Sequence, residues 1–244
     1  MELAKKLRVD THEVHREAES AGFMKAFMKG QLNKEEHTAY LVQMYHVYVA
    51  LEAAYDEAVQ TSSDKEKLQT LYFPEELSRV KSLEEDLEFF LGKNWKSNDA
   101  IVNPSPAAKT YADRMTELGQ KDALLLIPHA YTRYLGDLSG GLMLGEMARK
   151  TLQLKGNEGL AFFTFDNVEE PDAFKNEYRA RLNALDLSEE RIADITEETI
   201  KAYKYNIGLF RELDAQFGLN EDGMHEEKAA IADAESSNAC CIVM

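Results

Sequence analysis

The chain has 244 residues, enough for one large domain or two small ones, and its 44% apolar and 30% charged content is that of a soluble globular protein. A formal charge of −16 argues against a nucleic-acid partner, which needs a basic surface to neutralise phosphate. No apolar run is long enough to cross a bilayer, the charged N-terminus lacks the apolar core of a secretory signal, and the only cysteines, Cys240 and Cys241, are adjacent and nearly terminal, so no disulfide staples the fold.

Helical periodicity dominates from the start of the chain, and β-type alternation is scarce. Helices are expected over about 2–20 and 22–29, then over 35–59, where Leu41, Met44, Tyr48 and Leu51 recur at three- and four-residue spacing. Further helices are expected over about 75–92, 107–118, 121–154, 171–184 and 188–217. Asn33 before KEEH, Ser105 before Pro106, and Ser188 before EER are suitable N-caps. Short linkers marked FPEE, VNPSP, KGNEG and FDNVEEP separate them, and there is no internal repeat. The pattern predicts one all-α domain over residues 1–218, followed by a flexible acidic tail over 219–244 with a net charge of −5.

His15 lies in THEVHREAE, four residues before Glu19 and on the same helical face. A lone histidine is commonly a surface residue; as a metal ligand it would give its other ring N–H to a carboxylate such as Glu19. No zinc-type spacing accompanies it, since HExxH is absent and His12 faces elsewhere. A metal held here has one protein ligand, which suits haem, whose porphyrin supplies four donors.

The stretch YTRYLGDLSGG (131–141) carries Gly136, Gly140 and Gly141 around Asp137, with Gly145 beyond. Each glycine inside a helix costs about 1 kcal/mol relative to alanine. Two readings account for that cost: close helix–helix packing, or a main chain that passes directly over a flat ligand with a bend at the glycines. In DAFKNEYRARLNAL, Lys175 and Arg179 lie four apart, either as a solvated face or as anchors for the carboxylates of a ligand, with Arg8 as a further candidate.

Together the segments THEVHREAE, GFMKAFMKGQ, YHVYVALE, YFPEEL, HAYTRYLGDLSGG, GLAFFTF, FKNEYRARLNAL and NIGLF resemble, in order over about residues 3–218, the haem oxygenases of animal type. The resemblance implies a single all-α domain with haem between a proximal and a kinked distal helix. It implies that His15 ligates the iron, oriented by Glu19, and that Gly136 and Gly140 bring main chain against the haem. Asp137 is implied to anchor waters that deliver protons to iron-bound oxygen, with Tyr48, Arg133 and Asn206 in the surrounding polar network. Arg8, Tyr131, Lys175 and Arg179 are implied to bind the propionates, and Phe27, Phe163, Tyr203 and Phe210 to wall the pocket. The implied reaction cleaves haem, at once cofactor and substrate, at the α-meso carbon to biliverdin, CO and ferrous iron. It uses O2 and electrons from NADPH through a flavoprotein reductase. A biliverdin reductase is a further implied partner, and the chain is expected to act as a monomer.

Three features depart from that pattern. Gly145-Glu146 stands where the animal enzymes have a lysine pair that helps to dock the reductase, which leaves Arg181 as the remaining basic group there. Tyr203 stands where phenylalanine is common. The chain ends in CIVM rather than in a hydrophobic membrane anchor. CIVM fits the Cys-aliphatic-aliphatic-X prenylation rule, with Met favouring farnesyl at Cys241 and Cys240 offered for acylation. The expected location is therefore the cytosolic face of an intracellular membrane such as the endoplasmic reticulum, and otherwise the cytoplasm. Two other readings are a haem sensor or buffer without turnover, and a helical interaction module without a cofactor. Asp137 between its glycines disfavours the first, and the glycine helix together with His15 disfavours the second.

Overall fold

The computed structural model describes residues 2–226. The expected helix over 2–20 forms as two, α1 (Leu3–Asp10) and α2 (His12–Ser20), broken at Thr11. Thr11 leaves helical geometry at φ −100° and ψ 3°, and its hydroxyl donates to the Leu7 carbonyl at 2.7 Å. This local bond competes with helix continuation. Helix α3 (Gly22–Met28) follows after extended Ala21. Asn33 then starts α4 (Lys34–Thr61) with a complete capping box: its side chain accepts from Glu36 N at 3.0 Å, and Glu36 Oε2 accepts from Asn33 N at 2.6 Å.

The middle of the chain is more divided than the sequence suggests. A short α5 (Lys65–Thr70) was not foreseen, and the expected helix over 75–92 splits into α6 (Pro74–Leu77) and α7 (Val80–Leu91). After α8 (Asp99–Val102), α9 (Pro106–Lys121) starts on the predicted Ser105 cap with Pro106 in its first turn. The expected run over 121–154 breaks first near Asp122, because Pro128 is tolerated only in the opening turn of α10 (Leu126–Gly136). It breaks again at a π-helical turn, Asp137–Gly141, before α11 (Leu142–Thr151). Ser139 turns its hydroxyl back onto the Leu135 carbonyl at 2.8 Å, a bond that helps to bend a helix, and the glycines leave room for the wider turn. Helices α12 (Pro171–Asn183) and α13 (Glu189–Phe217) complete the all-α architecture; among the described residues no strand forms.

Helix α4 is the axis of the core, with Leu41, Met44, Val47, Tyr48 and Leu51 wholly buried. It packs against α9 and α7, and α9 approaches closely at Gly119, where a Cβ would lie 3.1 Å from that of Ala54. Helix α13 runs along α10, α2 and α3 and so carries the N-terminal helices to the glycine-rich segment. Helix α1 is tied to α12 by the Ala4 N–H, which donates to Asn183 Oδ1 at 2.8 Å.

The domain does not stop at the expected boundary of residue 218. Residues 219–226 fold back onto α3, with Leu219 buried and Gly223, at φ +74°, seated where a Cβ would meet Ala26 N at 2.6 Å. Lys25 Nζ donates to the Glu221 carbonyl, Lys29 Nζ to that of Asp222, and His225 Nε2 lies 3.2 Å from Glu36 Oε1. The rest of the expected tail, including Cys240 and Cys241, lies outside the described residues.

One core residue works against stability. His37 is buried among Phe27, Phe90 and Phe163 at ring distances of 5.6, 5.3 and 5.9 Å, and neither ring nitrogen has a hydrogen-bond partner among the described residues. Burial pushes its pKa down to about 4. The unfolded chain therefore takes up a proton near pH 6.5 that the folded chain refuses until about pH 4, so a neutral buried His37 costs the fold progressively more stability as pH falls through this window. His37→Phe should raise unfolding stability by about 1–2 kcal/mol at neutral pH, by removing two unsatisfied polar atoms. It should also flatten the loss of melting temperature between pH 6.5 and 4, as checked by thermal melts across that range.

Candidate functional site

Two helices bring the predicted site residues to opposite ends of one short stretch of α13. On α2, His15 has half of its side chain exposed, and its Nδ1 lies 3.7 Å from Glu19 Oε2, a charge contact rather than a hydrogen bond. The imidazole meets the ring of Tyr203 in a T-shaped contact at 5.4 Å. Tyr203, Asn206 and Phe210 share a face of α13 at helical spacing. Asn206 then accepts from Arg133 Nη1 at 2.5 Å, which carries the connection to the glycine-rich segment of α10.

There Arg133 and Asp137 form a buried ion pair, Nη2 to Oδ1 at 2.9 Å. The second carboxylate oxygen, Oδ2, accepts from the Tyr48 hydroxyl, and Asn206 is itself fixed by donating from Nδ2 to the Ala202 carbonyl at 2.8 Å. The four residues expected to make a polar network are thus one hydrogen-bonded unit. Burial pushes the Asp137 carboxyl above its ordinary value, opposed by Arg133 and by the Tyr48 hydroxyl. Burial and the Asp137 charge push Tyr48 well up, so it remains a donor.

The glycines divide into two kinds. Gly136 is in ordinary right-handed helical geometry, at φ −63° and ψ −46°, so the backbone itself does not call for glycine. Gly136 and Gly140 are exposed, and among the described residues a Cβ at either would meet nothing within 4 Å. Helix packing therefore does not explain them: they keep side chains away from space that the protein itself leaves open. Gly145 is a packing glycine, since a Cβ there would lie 2.7 Å from Phe163 Cβ, and Gly141 faces Asp137 Cβ at 3.3 Å. The bare surface thus runs over 136–140 and does not extend to Gly145.

The basic residues are less uniform than the sequence suggests. Lys175 is stapled to the π turn, with Nζ 3.1 Å from Ser139 Oγ and 3.4 Å from the Leu138 carbonyl, and it pairs with Asp172 at 2.9 Å. Arg179 is half-buried and bonds Asn176 on its own helix at 3.3 Å, while Arg8 is exposed on α1, the helix beside α12. Arg181 turns away, bonding Glu177 and the Thr70 carbonyl with its guanidinium over Phe73 at 4.6 Å. Tyr131 is half-buried, with its ring 6.4 Å from that of Tyr178. Phe27 and Phe163 meet edge to face at 6.1 Å inside the core, and Phe210 is buried on α13.

Sequence reasoning missed the outer layer of the Arg133 network. Buried Tyr40, two turns before Tyr48 on α4, adds a phenol beside Arg133. Tyr111 stacks on Tyr205 at 5.0 Å, its hydroxyl lies 3.3 Å from His129 Nδ1, and His129 Nε2 lies 3.1 Å from Glu198 Oε1. Burial pushes Glu198 up, yet hydrogen bonds from His129 and Arg114 override it and hold Glu198 at about 2. The available signal was spacing: Tyr40 and Tyr48 share a face of α4, and His129 precedes Arg133 by four residues.

The model of the heme oxygenase family matches residues 1–212. The chain belongs to the haem oxygenase family. It is 43% identical over 213 residues to heme oxygenase 1 of Bos taurus, covering 87% of this chain and 71% of the relative. It is 39% identical over 221 residues to the heme oxygenase of Takifugu rubripes, covering 91% and 77%. Its structure is similar to heme oxygenase-2 of Synechocystis in complex with heme and NO, with a TM-score of 0.82 at 40% identity over 89% of this chain and 87% of that one. It is also similar to heme oxygenase-1 of the same cyanobacterium in complex with heme, with a TM-score of 0.82 at 34% identity over 97% and 99%. The chain is accordingly an enzyme of haem degradation.

The two kinds of glycine give opposite expectations. Gly140→Leu should leave the melting temperature of the haem-free protein unchanged or raise it, since helix propensity improves by about 1 kcal/mol and the added Cβ meets no described atom within 4 Å. The same change should abolish haem uptake in a spectrophotometric titration. Gly145→Leu should instead lower stability by about 1–3 kcal/mol or more through its clash with Phe163.

Proposed function

We propose that haem lies with one face toward His15 and the other toward the bare Gly136–Gly140 main chain, and that this chain opens it at the α-meso carbon to biliverdin, CO and ferrous iron. The observation that carries this reading is the pair of exposed helical glycines beside which no described residue fills the place of a Cβ. A half-exposed imidazole with an adjacent carboxylate supplies a single axial donor. Among the described residues no group of three or more His, Cys, Asp or Glu could hold a bare metal ion, which fits a metal that brings its own four nitrogen donors.

Bound there, haem supplies both the iron at which O2 is activated and the ring that is cut. The protein's part is positioning and proton control. Main chain at Gly136 and Gly140 sets the closest approach to the haem face and excludes bulky side chains from it. Asp137 holds a proton-accepting carboxylate just behind that bare main chain, steadied by Arg133 at Oδ1 and by Tyr48 at Oδ2. Asn206 prevents Arg133 from swinging away. Arg8, Arg179, Tyr131 and, once released from Ser139, Lys175 would anchor the propionates and so select the meso edge that is cut, by charge-assisted hydrogen bonds. Phe27, Phe163, Tyr203 and Phe210 form the aromatic surroundings.

Electrons would come from NADPH through a flavoprotein reductase, and biliverdin would pass to a reductase of its own. The C-terminal reading rests on the CIVM sequence alone: farnesyl at Cys241, with acylation of Cys240 as a second anchor, would hold the enzyme at a cytosolic membrane face near its electron donor. A farnesyl probe in cells should label the protein in a Cys241-dependent way.

The deciding experiment adds haemin, reductase and NADPH to the purified protein. The wild type should develop the biliverdin absorption band. Asp137→Asn should still bind haem but yield biliverdin at least about tenfold more slowly. His15→Ala should lose the axial-ligand signature in the haem spectrum. An undiminished yield from Asp137→Asn would remove its proton role, and an unaltered spectrum of His15→Ala would move the iron ligand elsewhere.

A further inference from the structure

A small solvent-open cleft lies between α4, the 71–78 segment and α10. Glu52, Tyr55, Tyr72, Phe73 and Tyr134 line it, and its floor has room for a water molecule. Glu52 Oε1 caps the start of α7, accepting from Arg79 N at 2.5 Å and Val80 N at 3.3 Å. Its other oxygen, Oε2, makes no hydrogen bond among the described residues, and neither does the Tyr134 hydroxyl. The Tyr134 ring lies 5.7 Å from that of Tyr48, whose hydroxyl donates to Asp137 Oδ2. Glu52 and Tyr134 thus share the cleft, Tyr134 touches Tyr48 ring to ring, and Tyr48 bonds Asp137.

We propose that this cleft is a proton inlet: Glu52 takes protons from solvent and passes them through Tyr134 and Tyr48 to Asp137. The inference rests on the reading of Asp137 as the group that handles protons during haem cleavage. In the transfer, Glu52 gives its Oε2 proton across a cleft water to the Tyr134 hydroxyl, which passes its own proton toward Tyr48. Tyr48 releases its hydroxyl proton to Asp137 Oδ2. Each hydroxyl regains the proton it gave, solvent reprotonates Glu52, and no electrons move. One proton has crossed from bulk water to Asp137.

The titration of the groups suits this order. Burial pushes Glu52 up to about 7, against the backbone hydrogen bonds of Arg79 and Val80, so near neutrality it both holds and releases a proton. Asp56 on the same helix adds to the push, and the Arg79 guanidinium opposes it. Tyr72, whose hydroxyl donates to Asp56 at 2.7 Å, along with Tyr55 and Tyr134, faces the same cleft. Burial, followed by the charge of Glu52, pushes Tyr134 well above the ordinary phenol value, so it relays a proton without becoming a standing anion. A helix-capping role uses Glu52 Oε1 alone and leaves Oε2 free to bond water in the cleft that Tyr134 also lines.

The test uses the purified full chain. Infrared titration of the haem-free protein should show a protonated-carboxyl band that disappears with a midpoint at about pH 7 and is absent from Glu52→Gln. Loaded with haem and supplied with reductase and NADPH, the wild type should slow as pH rises through that midpoint. Glu52→Gln should be at least about tenfold slower and lose this pH dependence. Glu52→Asp should recover part of the rate. Tyr134→Phe should also be slow while keeping the infrared band, an outcome that a purely structural role for Glu52 would not produce. Wild-type rates and pH profiles in Glu52→Gln and Tyr134→Phe would overturn the inlet while leaving the haem-cleavage reading intact. A Glu52 band that does not titrate near neutrality would also overturn it. A wild type that binds haem but makes no biliverdin would sink both.

Discussion

The distal half of the site depends on burying Arg133 and Asp137 together. Two full charges removed from water cost several kcal/mol each, and their attraction repays this only with good geometry and filled hydrogen-bond positions. The geometry is good and most positions are filled: Asp137 is held at both oxygens and Arg133 bridges it to Asn206 on another helix, leaving Arg133 Nε without a partner among the described residues. Because α10, α13 and α4 each contribute one partner, their relative placement is fixed by the same bonds that hold the carboxylate. Removing either charge would leave the other buried and unpaired, so the pair is structural as well as part of the proposed proton handling.

Around that pair, glycine serves two purposes on one helical run. At 145 it lets Phe163 and the aromatic core close on α11. At 136 and 140 it leaves main chain bare toward open space, at an energetic cost that no contact within the protein offsets. The π turn follows from this concentration of glycine together with the Ser139 back-bond, and it places Asp137 on the buried side while Gly136 and Gly140 remain exposed. A single turn of altered helix thus separates the polar network from the surface left for the ligand.

Much of this was legible in the sequence, for physical reasons that differ between elements. Helix α4 could be read because Asn33 and Glu36 cap it and its apolar spacing is regular. The pairing of His15 with Glu19 and the Arg133–Asp137 contact are both four-residue helical relations, which spacing encodes directly. The breaks were not legible: Thr11 and Ser139 interrupt helices through single hydroxyl bonds whose formation depends on tertiary packing. Nor could spacing reveal that Lys175 is tied to the π turn, that Arg181 faces α5, or that residues 219–226 dock on α3, since these are contacts between distant segments. Glycines 136, 140, 141 and 145 looked alike in the sequence; only neighbouring atoms separate those that admit a helix contact from those that admit a ligand.

The central claim is that one imidazole and one bare stretch of main chain hold opposite faces of the same haem. A crystal structure of the haem complex measures this directly. The account predicts His15 Nε2 bonded to the iron, Gly136 and Gly140 in van der Waals contact with the other face, and Asp137 connected to the open iron position through ordered water. Iron bonded to any other side chain, or haem bound away from the Gly136–Gly140 main chain, would contradict it.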